Sequence, residues 1–191
     1  MNRTGVRDVL PLDLAVRIEE ATVLDPVVDR VRPVVARELA AWPRAADLLH
    51  GRWLGHALHP LLTDFPLGSW IGATLLDLTG GPGARRSADR LIGLGIVLAL
   101  PTALAGAADW AVSDRRVGRV GTVHAAMNGV ALVLYGGSWL LRRRGHRRAG
   151  VTTSLVGGAV ATASGYLGGH MTLRLQAPPD ALSAPPSRTA A

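Results

Sequence analysis

Val120-Gly121-Thr122-Val123-His124-Ala125-Ala126-Met127-Asn128-Gly129-Val130-Ala131-Leu132-Val133-Leu134-Tyr135-Gly136-Gly137-Ser138-Trp139-Leu140-Leu141 carries no carboxylate and no guanidinium, and Arg142-Arg143-Arg144 follows at once. Crossing ~30 Å of hydrocarbon takes about 20 residues of helix. This stretch has that length, and a helix satisfies its own backbone amides, as hydrocarbon requires. It reads as a membrane span that ends in an arginine cluster. Three more stretches of the same kind lie around it, at residues 60–79, 91–110 and 151–170. The expected fold is all-α: an integral membrane four-helix bundle with short amphipathic helices in front.

Composition agrees. The chain of 191 residues is 48% apolar but only 4% aromatic, so Leu, Val, Ala and Gly must do the packing. Its 23 glycines suit membrane helices, which associate through small residues. The absence of cysteine removes disulfides, thiolate metal sites, iron–sulfur ligation and cysteine nucleophiles. All 21 basic residues are arginine, and the net charge is +7. Most of them sit beside the spans, where topology accounts for them better than nucleic acid does. The expected partner is the lipid bilayer, with no nucleic acid. No signal peptide is visible in roughly the first 50 residues, so the first span is expected to act as an uncleaved signal.

Residues 1–57 form a polar N-terminal region whose acids and arginines nearly cancel. Asp25-Pro26 predicts an N-cap followed by a first-turn proline. The helix should run to about Ala41, with Val27, Val28, Val31, Val34 and Val35 on its apolar side and a kink at Pro33. Trp42-Pro43 should start a shorter helix that Gly51 ends. Residues 58–175 make the four-span domain, with Gly80-Gly81-Pro82-Gly83 as its first turn. Pro66 withholds an amide from the carbonyl of Leu62, and Pro101 from that of Val97, so each carbonyl needs another donor. Gly165 and Gly169 favour close helix contact. Residues 176–191, rich in Pro, Ala and Ser, read as a disordered tail.

Because the spans alternate in direction, His56, His59, His124 and His170 fall at one end, together with Asp64 and Asp109. An ionisable group at membrane depth costs about 2.5 kcal/mol or more, so this end is the candidate site. The short loops of the opposite end hold Arg85, Arg86, Arg90, Arg142, Arg143, Arg144, Arg147 and Arg148. The histidine end has Arg52, Arg115, Arg116, Arg119 and Arg174. That balance puts the histidine end outside a bacterial cytoplasmic membrane. In an up-down bundle, spans one and three are diagonal, so His59 should face His124. Two imidazoles on facing helices can ligate the iron of a haem b. With His56, His170 and Asp109 they could instead hold zinc, non-haem iron or copper. Asp64, Asp109, Asn128 and Tyr166 would support the ligands. On the fourth span Thr162, Tyr166 and His170 form a four-residue ladder expected to face inward. Purely structural contacts with no cofactor, or quinone and proton handling, remain open. His50 and His146 read as incidental. No phosphate-loop, dinucleotide, haem-attachment or nucleophile-elbow motif is present, so no catalytic activity of its own is expected.

The run from Gly55-His56-Ala57-Leu58-His59-Pro60 through Thr63-Asp64-Phe65-Pro66 to Gly68-Ser69-Trp70 resembles the start of a bacterial four-span membrane family, domain of unknown function 2231. The resemblance continues at Pro101-Thr102-Ala103, Ala108-Asp109-Trp110, His124-Ala125-Ala126-Met127-Asn128 and Gly165-Tyr166-Leu167-Gly168-Gly169-His170. Actinobacterial relatives are often fused to a Rieske-type [2Fe–2S] domain, which implies a redox setting. This chain lacks the cysteines of that cluster, so a Rieske-type protein would have to be a separate partner. A redox or electron-transfer subunit is the leading expectation. A non-catalytic anchor or assembly module is the rival, and a small transporter ranks last. Self-association into a homo-oligomer is left open.

Overall fold

In the computed structural model, which describes residues 10–177, every regular element among the described residues is helical. Residues 178–191, most of the expected tail, lie outside the described residues. Helices α1 (Leu10–Glu20), α2 (Asp25–Ala41) and α3 (Pro43–Leu49) precede four longer ones. These are α4 (Leu58–Thr79), α5 (Arg85–Ala111), α6 (Arg115–Arg143) and α7 (Arg147–Leu173). Helices α5, α6 and α7 run past the apolar stretches at both ends. Many of the added residues are arginine, a good helix former whose long stem can keep its charge in water.

By length and composition, α5 with its preceding turn (Pro82–Ala111) and α6 (Arg115–Arg143) can each cross a membrane. The other two have the length, at 22 residues for α4 and 27 for α7. Their apolarity is diluted, in α4 by His59, Asp64, Asp77 and two prolines, in α7 by glycine, serine and threonine. The four long helices form two antiparallel hairpins, α4–α5 and α6–α7, tightly packed within each hairpin and loosely between them. Gly145 turns the second hairpin with φ +82°, a conformation that favours glycine. At the start of α6, Asp114 caps the helix by accepting from the amide of Val117 at 2.9 Å.

The core between the hairpins is built on Trp70, Ala73, Ala88, Ile92 and Tyr135. Phe65, Ile71, Leu75, Val97, Leu104 and Val133 point outward and are more than half exposed. So wide an apolar exterior is unusual for a soluble monomer and matches a lipid environment. The carbonyl of Leu62, freed by Pro66, receives the hydroxyl of Thr102 at 3.1 Å. That hydroxyl is shared with the carbonyl of Leu98 at 2.8 Å. A side chain of α5 thereby repairs the break in α4.

The N-terminal region packs on the histidine end of the hairpins. Helix α1, absent from the sequence-based expectation, sets Ala15 and Ile18 against Val120, Leu167 and Met171. Helix α2 begins and ends where expected, but two details differ. Asp25 is its first helical residue rather than its N-cap, because its carboxylate is taken by Arg119 at 2.7 and 2.8 Å. Of the five valines, Val28 alone is fully buried, while Val27, Val31 and Val34 stay exposed on one flank. Pro33 lies within a continuous helix. Gly51, in the left-handed region at φ 68°, follows α3 as expected.

Candidate functional site

Helices α4 and α6, diagonal to each other, bring His59 and His124 together. Their ring centroids are 6.4 Å apart and their planes are at 90°. Each ring is held by a neighbouring helix. Nδ1–H of His59 donates to the carbonyl of Thr102 on α5 at 2.9 Å. Nδ1–H of His124 donates to the carbonyl of Ser164 on α7 at 2.8 Å. A carbonyl can only accept, so both rings carry their proton on Nδ1 and keep a lone pair on Nε2. The Nδ2 amine of Asn128 donates to Nε2 of His124 at 3.0 Å. Glycines make the rings fit: a Cβ at Gly106 would come within 2.8 Å of the His59 ring, and one at Gly168 within 3.2 Å of His124.

The other expected site residues lie elsewhere. His170 is buried, but its Nε2 donates to Glu19 of α1 at 2.6 Å. Asp109 is buried and accepts from Nδ1 of His50 at 3.2 Å. His56 is exposed, with Nδ1 on the carbonyl of Ala57 at 3.0 Å. Asp64 faces outward and is exposed, as are Asn128 and Tyr166. No three His, Asp or Glu side chains among the described residues converge as a metal-holding set. The expected wide cluster is therefore divided into one imidazole pair and two imidazole–carboxylate pairs. His50, read as incidental, is 7% exposed and belongs to one of those pairs.

The two imidazole–carboxylate pairs tie α1 and the end of α3 to α7 and α5. A third tie joins α2 to α6, where Arg119 grips Asp25 and also reaches the carbonyl of Glu19 at 2.8 Å. That hydrogen-bonded guanidinium holds the Asp25 carboxyl below the ordinary carboxylate range, and burial opposes it in part.

A second polar assembly, unforeseen from the sequence, occupies the opposite end. Arg142 bonds Asp77 at 3.0 Å and Asp89 at 3.1 Å. Arg147 bonds Asp89 at 3.0 Å and also Asp77. Ser138 and Ser154 each contact the Arg142 guanidinium at 3.0 Å. All four long helices contribute. The side chains of Arg142 and Asp77 are 0% and 1% exposed and those of Arg147 and Asp89 are partly exposed, so a buried ion pair is neutralised further by a second pair at its rim. Between the two ends, Trp70 stacks on Tyr135 with centroids 3.9 Å apart. Beside that stack, in the seam between α4 and α7, lies an apolar groove of about 510 Å³ lined by Leu67, Trp70, Thr74, Tyr135 and Gly158 among others.

The family model described as "Predicted membrane protein (DUF2231)" matches residues 55–178. No curated protein and no solved structure matches the chain.

Proposed function

The chain belongs to the DUF2231 family of predicted membrane proteins, and from that premise we propose that it is a multi-pass membrane subunit holding a redox cofactor between His59 and His124. Its four long helices cross the bacterial cytoplasmic membrane, with the histidine end outside. The cofactor of first choice is haem b. The observation that carries this reading is the imidazole pair itself: two rings from diagonal helices, each with Nδ1 fixed by a carbonyl and Nε2 unprotonated, that of His124 accepting from Asn128. Orienting a ligating histidine through its second nitrogen is the usual arrangement at metal sites.

The donor set favours haem over a discrete metal ion. Zinc and non-haem iron sites commonly use three or more protein ligands, and no such set converges among the described residues. Two axial imidazoles complete a haem iron. When bound, haem would supply one-electron chemistry. His59 and His124 would hold it, and the lipid-facing apolar shell would keep water away.

The test is a pair of visible spectra, oxidised and dithionite-reduced, on protein purified in mild detergent from haem-replete cells, with metal analysis of the same sample. A Soret band with sharp reduced bands, lost in His59→Ala and in His124→Ala, is the expected result. A colourless, metal-free sample would remove the cofactor reading. The second reading is an anchor or assembly module for a partner such as a separate Rieske-type protein. It is favoured by the exposed flank of Val27, Val31 and Val34 on α2, which remains open beside the bundle.

A further inference from the structure

The residues that meet across the centre of the bundle recur at one spacing. Asp77 and Arg142, which pair at one end, are 65 positions apart. The same offset relates Trp70 to Tyr135, which stack in the middle, and His59 to His124, which meet at the other end. The second helices of the two hairpins match as well, at an offset slightly shorter because the connecting turns differ in length. Thr102 corresponds to Ser164: each gives its carbonyl to the histidine of its own hairpin. Each of the two hydroxyls also crosses to a carbonyl of the partner helix, Thr102 to Leu62 at 3.1 Å and Ser164 to His124 at 3.0 Å, although these two acceptors are not themselves counterparts. Gly106 corresponds to Gly168, each pressed against a histidine ring. Gly95 corresponds to Gly157, one lying against the indole of Trp70 and the other against the ring of Tyr135.

The two hairpins run in the same direction, so the operation relating them is a local two-fold along the bundle axis, as in parallel-repeat membrane proteins. Residues that meet their own counterparts must lie on that axis. Three such pairs do so at three depths. From His59 to Asp77 along α4 is roughly 27 Å at 1.5 Å per residue, comparable with the ~30 Å of hydrocarbon.

We infer that the histidine pair is a single two-donor site on this axis, one Nε2 supplied by each hairpin, with Gly106 and Gly168 as matched positioning residues. The ligand it would take is a metal centre held by the Nε2 atoms of both rings, haem iron foremost. This rests on the cofactor reading for its ligand, but the pairing of donors stands on the protein alone. Asn128 departs from the symmetry, since its counterpart Thr63 donates instead to the carbonyl of His59 at 2.8 Å.

The test uses the full chain in detergent micelles with ¹⁵N-labelled histidine, first without cofactor and then titrated with haemin. Without cofactor, both rings should show a protonated Nδ1 and an unprotonated Nε2, assigned by His59→Ala and His124→Ala. Haemin should bind once per chain with a low-spin, six-coordinate spectrum. Gly106→Ala and Gly168→Ala should each weaken binding by about 10-fold or more, to a similar extent. A protonated Nε2 on either ring of the unmodified protein would overturn the inference, and that measurement needs no variant to fold. So would a haem that survives one histidine substitution in six-coordinate form, even though the cofactor reading would stand. Matched tautomers and matched glycine effects on the ring signals, with no haemin uptake, would support the two-donor arrangement while removing haem as its ligand.

Discussion

Asn128 occupies the lone pair that His124 would offer to a metal, so ligation has to break a hydrogen bond first. A net bond of this kind contributes about 0.5–1.5 kcal/mol. Asn128→Ala is therefore expected to tighten haemin binding by about 2- to 12-fold, read by titration of the Soret band. Asp25 has a different signature. Its folded-state pKa is depressed, chiefly by the hydrogen bond from Arg119. The stability it contributes is complete above its unfolded pKa, about 3.9, and is lost as pH falls through the lower folded value. Thermal unfolding followed from pH 6 downward should show Asp25→Asn less stable than the parent, with the gap closing only in strong acid. A constant gap would mean that the charge has no part in docking α2. The sequence made His59 and His124 conspicuous because each lies near the start of an apolar span. His50 was passed over because its surroundings in the chain are polar. Its burial comes from Asp109, 59 positions away, and no local pattern encodes that.

Helix α4 is continuous through Pro66 because α5 provides Thr102. Thr102→Val should destabilise the protein by about 1–3 kcal/mol, the cost of an orphaned buried carbonyl. In a Pro66→Ala background the alanine amide can bond the Leu62 carbonyl itself, so Thr102→Val should cost distinctly less there. Unfolding of the four proteins in a denaturing detergent series gives the coupling, and equal costs in both backgrounds would show that the hydroxyl is not repairing the helix. The charge network at the far end is more demanding. Asp77→Ala leaves Arg142 buried and underpaired, an expected loss of about 3–5 kcal/mol. Asp77→Leu combined with Arg142→Met should recover much of it in the same assay. Hydropathy made the long helices legible, but their inward faces were harder to read. Thr162, Tyr166 and His170 are spaced by four, and each such step turns the helix about 40° beyond a full circle. The ladder therefore drifts around α7: Thr162 and Tyr166 are exposed, while the buried line runs through Ser154, Gly157, Ala161, Ser164 and Leu167. Arg142 was hidden for another reason, being one arginine in a run of them.

Across the whole molecule, the docked N-terminal region fixes α1–α3 to the histidine end, so both must lie on one side of the membrane. Since the chain has no cysteine, single substitutions can report the side. Val112→Cys, in the turn at the histidine end, should react with an impermeant maleimide added to intact spheroplasts, and Gly83→Cys, at the other end, should not. The reverse labelling would invert the orientation assigned from arginine counts. The repeat of hairpins escaped the sequence reading because its two halves share few identical residues and two slightly different offsets. It shows only when residues are known to touch. One contact also sets the order of assembly. Glu19 leaves the ribosome well before its partner His170, which is 151 positions later in α7. Until α7 emerges α1 has nothing to bind through that carboxylate, and neither Asp25 nor His50 has its partner until α6 and α5 emerge. The N-terminal helices are thus held in reserve during synthesis and locked only once α7 has been made. Their docking would make a natural checkpoint: a bundle missing α7 leaves α1 loose, and protease should find it there.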